Sequence, residues 1–350
     1  MTTKRITIYD IAEKAGVSVG TVNRALNDKD RISEKTKQNI LNIAKELGYS
    51  ANPAAQGLRR TPITIGAILF CSIDKYVDDV IEGMEETAHA LEKYNVYLDI
   101  RKIPFSNRID CTKKATQLLD EFENLGYKGI ALFLSHTYDE LPIIAKKIDT
   151  LADKGIVLSS VANDLSHTKC KHHVGINAEM AGEMAAEVLA LSCPGEEVAI
   201  LISSQNSPIG MQYIRGFKKH HNIFSNIKIY EHFDDIEKIP TAVENMLSNT
   251  PNLKGVYMAT ASSNIACEYM REKSDITIIT TDILPETPKL LEEKISNAVI
   301  FQNPYKQGKI VIRNIYECIL GQAKEEIQLI PPQILLNSNI NAYMKKDEIQ

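Results

Sequence analysis

The sequence contains no tryptophan, and its six cysteines lie far apart along the chain. No two cysteines form a C-x-x-C pair, so neither a zinc ribbon nor a thioredoxin motif is present. We interpret the cysteines as the reduced thiols of a cytoplasmic protein. Apolar runs are short, as at Ile65–Phe70, and none approaches the ~20 residues that a membrane-spanning helix requires. No apolar stretch follows the charged residues near the N-terminus, so we expect no secretory signal.

Motifs of cofactor-dependent and hydrolytic enzymes are also missing. The 17 glycines include no G-x-G, which excludes the dinucleotide-binding fingerprint, and no G-K-[ST] phosphate loop occurs. The nucleophile motif G-x-S-x-G and the zinc motif H-E-x-x-H are absent as well. Two pairs of adjacent histidines, His172–His173 and His220–His221, point apart on a strand or helix, so we interpret them as solvated. We therefore expect no catalytic residues, no cofactor and no metal site.

Charge is distributed unevenly along the chain. The net charge of the whole sequence is −5, which by itself argues against nucleic-acid binding. Residues 1–61, however, carry eleven Lys or Arg and six Asp or Glu, so this segment has a charge of +5 and the remainder −10. A small basic segment joined to a large acidic one predicts that nucleic-acid binding is confined to the first.

The basic segment shows the pattern of three short helices. The first two are predicted at Tyr9–Lys14 and Val19–Leu26, separated at Gly16, which can adopt the positive φ of a tight turn. A third helix begins at Ser33 and carries an apolar stripe at Ile40, Ile43, Ala44 and Leu47. Small, glycine and apolar residues at these spacings are typical of a helix-turn-helix. The simpler alternative is a three-helix bundle with a solvated basic face.

DNA contacts are predicted around the second helix, whose exposed start would enter the major groove. Base reading is assigned to Val19, Gly20, Asn23 and Arg24, because arginine pairs with guanine more often than any other side chain. Ile8 and Ser18, at the starts of the first two helices, complete this surface. Contacts to phosphates, which position the protein but carry no sequence information, are assigned to Thr7, Thr21, Asn27, Arg31, Ser33 and Thr36.

The residues of this segment resemble the lac repressor/galactose repressor (LacI/GalR) family over positions 6–60. The matching motifs are Tyr9-Asp-Ile-Ala-x-x-Ala-Gly-Val-Ser-x-x-Thr-Val-x-Arg-x-Leu-Asn, Ser33-x-Lys-Thr and Leu47-Gly-Tyr-x-x-Asn-Pro-x-Ala. The resemblance implies that residues 52–62 form a hinge helix when two chains meet on DNA. It also implies that Leu58 enters the minor groove beside Ala55, with Asn52 capping the helix. The alternative is a plain linker whose leucine packs on the body.

From Ile63 onward, short apolar runs alternate with helical patterns such as Val80–Tyr94, Met180–Leu191 and Thr241–Ser248. This alternation predicts parallel sheets with helices on both faces, and the length of the segment favours two lobes. Such sheets bind ligands at the carboxyl ends of their strands. The predicted strands are Ile63–Phe70, Val96–Arg101, Gly129–Leu134, Ile156–Ser160, Val198–Ile202, Ile227–Phe233, Gly255–Met258, Ile276–Thr280 and Ala298–Gln302.

The resemblance extends to this body, which is similar to the periplasmic-binding-protein-type effector domain of the same family. It implies two doubly wound α/β lobes joined by three crossovers. The residues that carry it are Gly175-Ile-Asn-x-x-x-Ala-Gly-x-x-Ala-Ala-Glu, Arg215-Gly-Phe217, Thr281-Asp282 and Gln302.

The predicted domain organisation is α/β, with a helix-turn-helix domain (1–51), a hinge helix or linker (52–62) and an effector-binding domain (63–350). Within the last, the first lobe is predicted at about 63–164 and 303–330. The second lobe is predicted at about 165–302 and 331–350.

Polar residues at predicted strand ends outline a ligand cleft. Carboxylates and amides suit a sugar, since each can pair with two neighbouring hydroxyls, and a tyrosine can stack on the apolar face of the ring. Tyr213 stands where family members often carry an arginine, and Ala162–Asn163 replaces a frequent Asp-Arg pair, which argues against an anionic effector. The predicted effector-binding residues are Asp74, Tyr76, His136, Asn163, Asp164, Tyr213, Ser262, Asp282 and Gln302.

These features together predict a ligand-responsive, DNA-binding transcriptional regulator, a repressor, in which a sugar or sugar derivative allosterically controls operator binding. We expect a homodimer on a pseudo-palindromic operator, because the C-terminal residues carry no heptads for a tetramerising zipper. The ligand would either release the DNA or promote its binding. Two alternatives are a solute-binding receptor and an α/β sugar-handling enzyme that carries a DNA-binding head.

Overall fold

The computed structural model describes residues 6–26, 30–47, 61–71, 74–104, 108–134, 141–165, 167–232, 235–260, 262–322 and 324–344. These residues divide into two compact units, a head that ends by Thr61 and a body that begins at Pro62. The predicted hinge residues Asn52, Ala55 and Leu58 lie outside the described residues.

The head contains three helices, α1 (Ile8–Ala15), α2 (Val19–Leu26) and α3 (Glu34–Glu46). Gly16 ends α1 with φ of 64°, the left-handed conformation that glycine adopts without a steric penalty. All three predicted helices are therefore confirmed. The core of the head consists of one apolar side from each helix: Ile11, Ala12, Val22, Ala25, Ile40 and Ala44.

The first lobe of the body is a six-stranded sheet in which every neighbouring pair is parallel, in the order β11-β5-β4-β3-β1-β2. Its inner strands are mostly buried, as parallel sheets covered on both faces require, whereas its two edge strands are partly exposed. The elements up to the first crossover are β1 (Ile63–Cys71), α4 (Asp74–Leu91), β2 (Val96–Pro104), α5 (Arg108–Asn124), β3 (Gly129–Phe133), α6 (Leu141–Asp153), β4 (Val157–Val161) and β5 (His172–Ile176).

The second lobe has the sheet order β12-β10-β9-β8-β6-β7, with β12 antiparallel to β10 and the other pairs parallel. Its elements are α7 (Ala178–Ser192), β6 (Glu197–Ile202), α8 (Pro208–Phe217), β7 (Asn226–Glu231), α9 (Ile239–Asn249), β8 (Leu253–Ala259), α10 (Ser263–Tyr269), β9 (Thr277–Thr281), α11 (Thr287–Glu292) and β10 (Ala298–Phe301). After it the chain forms α12 (Pro304–Ile319), β11 (Ile327–Ile330), β12 (Gln333–Leu335) and α13 (Asn341–Met344).

The chain passes between the two sheets three times. It leaves the first sheet after Ile176, returns between β10 and α12, and leaves again between β11 and β12. The first crossing therefore follows β5, rather than residue 164 as the sequence predicts. Two histidines open β5 and hide its strand character, because its buried run after them is only Val174–Ile176.

Closely packed helix pairs cover each sheet. In the first lobe α4 packs on α12, and in the second α7 packs on α8. A side chain at Gly83 would overlap the backbone of α12, and one at Gly182 would overlap the backbone of α8 at Tyr213. These glycines permit the close approach that places α8 and α12 beside the strand ends.

Candidate functional site

The exposed side of α2 is the candidate DNA-reading surface. Val22 and Ala25 face the core of the head, while Gly20 and Arg24 are exposed and Asn23 is half-buried. Val19, also half-buried, packs partly against the core, as does Ile8. The structure thus places Gly20, Asn23 and Arg24 together on the outer side of one helix. A major-groove recognition helix presents its base-reading residues in this way.

The helix starts in the head carry hydroxyl groups of predicted DNA contacts. Ser18 Oγ accepts a hydrogen bond from Thr21 N at 3.2 Å, and Ser33 Oγ accepts one from Thr36 N at 3.2 Å. At α1, Thr7 donates from N and Oγ1 to the Asp10 carboxylate at 2.6 Å. The starts of α2 and α3 suit phosphate groups, because N–H groups and the helix dipole favour anions there.

Two further predicted DNA contacts are Arg31 and Asn27, of which the structure describes only the first. Arg31 is exposed and has φ of 68°, in the left-handed region that non-glycine residues seldom adopt. Asn27 lies outside the described residues.

At the carboxyl ends of the body's strands, polar side chains form a buried group that we call the interlobe cluster: Tyr76, Tyr213, Tyr257, Asp282, Gln302 and Gln307. Asp282 follows β9 and accepts two hydrogen bonds from Gln302, which follows β10. The Gln302 N–H lies 3.0 Å from Oδ1, and Gln302 Nε2 lies 2.6 Å from Oδ2. This pair is held rigidly because both of its residues are at least 91% buried.

Tyr76 and Gln307 bring the first lobe into contact with this pair. Gln307, on α12, donates from Nε2 to the backbone carbonyl of Gln302 at 3.0 Å. Tyr76, in the first turn of α4, donates from its hydroxyl to Gln307 Oε1 at 3.2 Å. A chain of hydrogen bonds therefore runs from α4 of the first lobe to the end of β9 in the second.

Asp282 is strained and electrostatically perturbed. Its φ of 63° lies in the left-handed region, and its side chain is almost fully buried. Burial raises the pKa of Asp282 to about 7, against the lowering effect of its hydrogen bonds from Gln302, and the nearby charge of Asp79 raises it further. Such perturbed carboxyl groups concentrate at functional sites.

Two further tyrosines complete the cluster from the second lobe. Tyr213, on α8, packs edge-on against Tyr257 of β8 with ring centroids 6.0 Å apart. Burial raises the pKa of the Tyr213 hydroxyl, and the charge of Asp282 adds to that rise. Burial likewise raises the pKa of Tyr76, with Asp282 as the next cause. Both hydroxyls therefore lie within electrostatic range of Asp282.

Not all predicted effector residues join the interlobe cluster. Asn163, after β4, donates from Nδ2 to the carbonyl of Leu134 at 2.7 Å. Asp164 instead lines a separate cavity of about 160 Å³ with His173 and Gln212. Ser262 is buried at the start of α10. Asp74 begins α4, but its side chain and the whole of His136 lie outside the described residues.

Sequence patterns did not identify three residues of this region. Tyr257 reads as a core residue of a buried strand, and Gln307 as a polar position on a helix face. Asp79 is buried and pairs with Lys75 at 2.5 Å on the same helix. Asp79 lies three residues after Tyr76 on α4, a spacing that places both on one side of the helix and could have indicated it. Gln307 lies five residues after Gln302, and this short separation is the corresponding signal for Gln307.

Of the four paired histidines, His221 is exposed as predicted, His172 and His220 are half-buried, and His173 is buried. His173 is 7% exposed, and its Nδ1 lies 2.9 Å from Ser160 Oγ. His220 lies with Glu183 and Glu187 in a group whose ligand atoms fall within 4.8 Å of one another. Lys219 binds Glu183 at 2.7 Å, so this surface of α7 is part of an ion-pair ladder between helices.

The helical head and the two-lobed body define a class of protein: a regulator that carries a DNA-binding surface and a ligand cleft in one chain. Residues 7–52 match the family described as bacterial regulatory proteins, lacI family. Residues 65–323 match the periplasmic binding protein domain. The head therefore belongs to the lacI family of bacterial regulatory proteins, and the body to the periplasmic binding protein domain family.

Relatives in sequence agree with this membership. The HTH-type transcriptional regulator pepR1 of Lactobacillus delbrueckii subsp. lactis is 23% identical over 96% of this chain and 98% of its own length. Catabolite control protein A of Priestia megaterium is 26% identical over 61% of this chain and 60% of its own length. An HTH-type transcriptional regulator of Lachnoclostridium phytofermentans is 32% identical over 39% of this chain, a match that spans 43% of that relative.

Solved structures show the fold of the body. A glucose-galactose binding protein, GanP of Geobacillus stearothermophilus, is 19% identical with a TM-score of 0.69, over 80% of this chain and 99% of its own. The arabinose binding protein AraP of the same organism is 18% identical with a TM-score of 0.67, over 81% of this chain and 99% of its own. The fold class predicted from the sequence is therefore confirmed.

Proposed function

We propose that this protein is a homodimeric repressor that binds a pseudo-palindromic operator and senses a small sugar or sugar derivative. The observation that carries the proposal is the union, in one chain, of an exposed α2 surface and a buried polar cluster where the two lobes of the body meet. The first suits the major groove, and the second suits a small ligand enclosed between lobes.

The DNA-binding half of the proposal rests on the head. Asn23 and Arg24 can donate to base edges, while the capped starts of α2 and α3 receive phosphates. A single head offers one short helix and few base contacts. Two heads, spaced about one DNA turn apart, would bind the two halves of a palindrome. We also propose the DNA contacts that the sequence predicts outside the described residues, at Asn27, Asn52, Ala55 and Leu58.

The ligand-binding half rests on the interlobe cluster. Carboxylate and amide groups at Asp282 and Gln302 suit paired hydroxyls, and the tyrosines offer ring faces. Asn163, Asp164 and Ser262, at neighbouring strand ends, remain proposed contacts at the rim, as do Asp74 and His136. Two of the similar solved structures are named as sugar-binding proteins, which supports this class of ligand.

Coupling between the two halves follows from the arrangement of the body. A ligand that contacts both lobes prefers one relative position of the lobes, and that position sets how the two first lobes of a dimer pair. By linkage, the ligand and the operator then change each other's affinity by the same factor. We propose that the protein acts in the cytoplasm, where its DNA lies. Among the described residues no helix is long and apolar enough to cross a membrane.

The test is operator binding by the full chain, measured by fluorescence anisotropy on a palindromic fragment from its own promoter region. We expect tight binding to one palindrome, and a sugar that stabilises the protein in a thermal-shift screen should change that affinity. The same factor should appear when the sugar affinity is measured with and without operator. Absence of binding to every candidate palindrome would contradict the proposal and favour a receptor.

A further inference from the structure

Asp282 is a buried carboxyl group, and each of its two oxygens accepts a hydrogen bond from the neutral side chain or backbone of Gln302. Among the residues that the structure describes, no lysine, arginine or histidine forms an ion pair with it. A buried carboxylate in this state is costly, and a cation placed beside it would be strongly favoured.

A second carboxylate and three tyrosine hydroxyls lie within electrostatic range of Asp282. Asp79 and Tyr76 belong to α4, Tyr213 to α8 and Tyr257 to β8. Asp79 itself is paired with Lys75, whose Nζ lies 2.5 Å from Asp79 Oδ1. The environment of Asp282 is therefore rich in acceptors and negative in charge.

The Tyr213 hydroxyl is the second sign of a ligand. Tyr213 is 4% exposed, and its ring packs edge-on against that of Tyr257. Within the described part of the chain, its hydroxyl has no hydrogen-bond partner. A ligand atom that reaches this hydroxyl can therefore bond to it without displacing a hydrogen bond within the described residues.

We propose, as an extension of the sensor function above, that the interlobe cluster selects an effector with a protonated amine, an amino sugar. An ammonium group donates three hydrogen bonds, and Asp282, Tyr213 and Tyr76 offer the oxygens to accept them. Its charge compensates Asp282, and the tyrosine rings add cation–π attraction.

Other effector classes fit this cluster less well. A phosphorylated sugar would place its charge against Asp79 and Asp282, with Lys75 already engaged. A neutral sugar could fill the hydroxyl positions but would leave the charge of Asp282 without compensation. The inference depends on the proposed function only in taking this cluster as the effector site.

The test compares matched sugars by isothermal titration calorimetry on the full chain at pH 7. Glucosamine, galactosamine and mannosamine are each paired with the parent hexose and with the N-acetyl form. We expect one amino sugar to bind at least tenfold more tightly than both of its neutral partners. Since a group with a pKa of about 7 is half ionised at pH 7 and about a tenth ionised at pH 6, this affinity should fall about fivefold at pH 6.

Two variants separate recognition of the amine from general effects on the cleft. Asp282→Asn should reduce the preference for the amino sugar to less than about twofold, while leaving weak binding of the parent hexose. Tyr213→Phe, which keeps the ring, should weaken the amino sugar more than its parent and serves if the first variant does not fold. Tighter binding by the neutral partners, or no binding by any member of the panel, would overturn the inference. Neither result would affect operator binding, whose failure alone contradicts the regulator function.

Discussion

Single residues decide the chemistry of the head and of the body. On α2, Arg24 is exposed on the side opposite Val22, so it can reach DNA without disturbing the core of the head. In the body, Asp282 combines burial, a left-handed φ and a raised pKa. An exposed arginine on a helix surface and a strained, buried carboxyl group are both best explained by what they bind.

Replacing Arg24 with alanine should weaken binding to the specific operator by about 10- to 100-fold, because one bidentate base contact is worth about 1–3 kcal/mol. Binding to unrelated DNA should fall much less. Anisotropy titrations on operators changed at single base pairs would show where selectivity is lost. The matched control is Lys14→Gln, since Lys14 pairs with Glu46 at 3.0 Å within the head. Equal losses on specific and unrelated DNA would show that Arg24 contacts only phosphates.

The raised pKa of Asp282 predicts how pH changes the stability of the body. Between pH 4 and pH 7 the folded state holds a proton on Asp282 that the unfolded chain has lost, so stability falls as pH rises and levels off above pH 7. The loss is of order a few kcal/mol, at 1.36 kcal/mol per pKa unit. Asp282→Asn removes this titration. Chemical denaturation at pH 5 and pH 8 should therefore show a smaller decrease for the variant, and equal decreases would contradict the assignment.

Helices in the two units depend on glycine for opposite reasons. Gly20 lies on the exposed side of α2, where an added Cβ would meet only Ser18 Oγ at 3.7 Å. Gly182 lies in the contact between α7 and α8, where an added Cβ would overlap backbone atoms. The first glycine leaves space for another molecule, and the second removes space between two helices of the same lobe.

Gly20→Ala should stabilise the head by up to about 1 kcal/mol, because alanine favours a helix and the site is open. The same methyl group would face the DNA backbone or bases, so operator affinity should fall. Thermal melting and anisotropy on the same preparation would measure both effects. A variant with improved stability and unchanged affinity would show that Gly20 does not approach DNA closely.

Gly182→Ala should destabilise the second lobe by more than about 2 kcal/mol, because α7 and α8 must separate to accommodate the methyl group. Displacement of α8 also moves Tyr213, so effector affinity should fall as well. Leu191→Ala is the control on the same helix, since Leu191 is 87% exposed and should change the free energy of unfolding little. Urea denaturation compares the two, and similar midpoints would contradict the role assigned to Gly182.

The whole molecule combines a basic head with an acidic body, a contrast that the net charge of −5 conceals. Attraction to DNA therefore has to come from the head, and two heads would act together in the proposed dimer. This division of charge has a direct consequence for the dependence of operator binding on salt.

Operator affinity should fall roughly 10³-fold or more between 50 and 200 mM salt if a dimer contacts about six or more phosphates. Lys35 is exposed on α3. The Lys35→Gln change should reduce the slope of log K against log salt by about one for each head. Lys254→Gln, in the body, should leave the slope unchanged, because its partner is Asp275 at 2.8 Å. Equal slopes for all three proteins would exclude the predicted use of Lys35.

Much of the architecture could be predicted from local patterns. The three head helices and the nine predicted strands all correspond to elements of the structure. The strands at His172–Ile176, Ile327–Ile330 and Gln333–Leu335 were not predicted, because they are short and interrupted by polar residues. Because the strand at His172–Ile176 was not predicted, the first crossing between the lobes was expected near residue 164, before that strand.

The division into head and body, the order of most helices and strands, and the family resemblance follow from periodicity, charge and motifs of neighbouring residues. Which side chains meet is a property of the folded chain. Asp282, Gln302, Gln307 and Tyr76 come together because two crossovers bring α4, α12 and the ends of β9 and β10 to one place. Burial, and with it the raised pKa of Asp282, arises from that convergence, because it depends on neighbours that are distant along the chain.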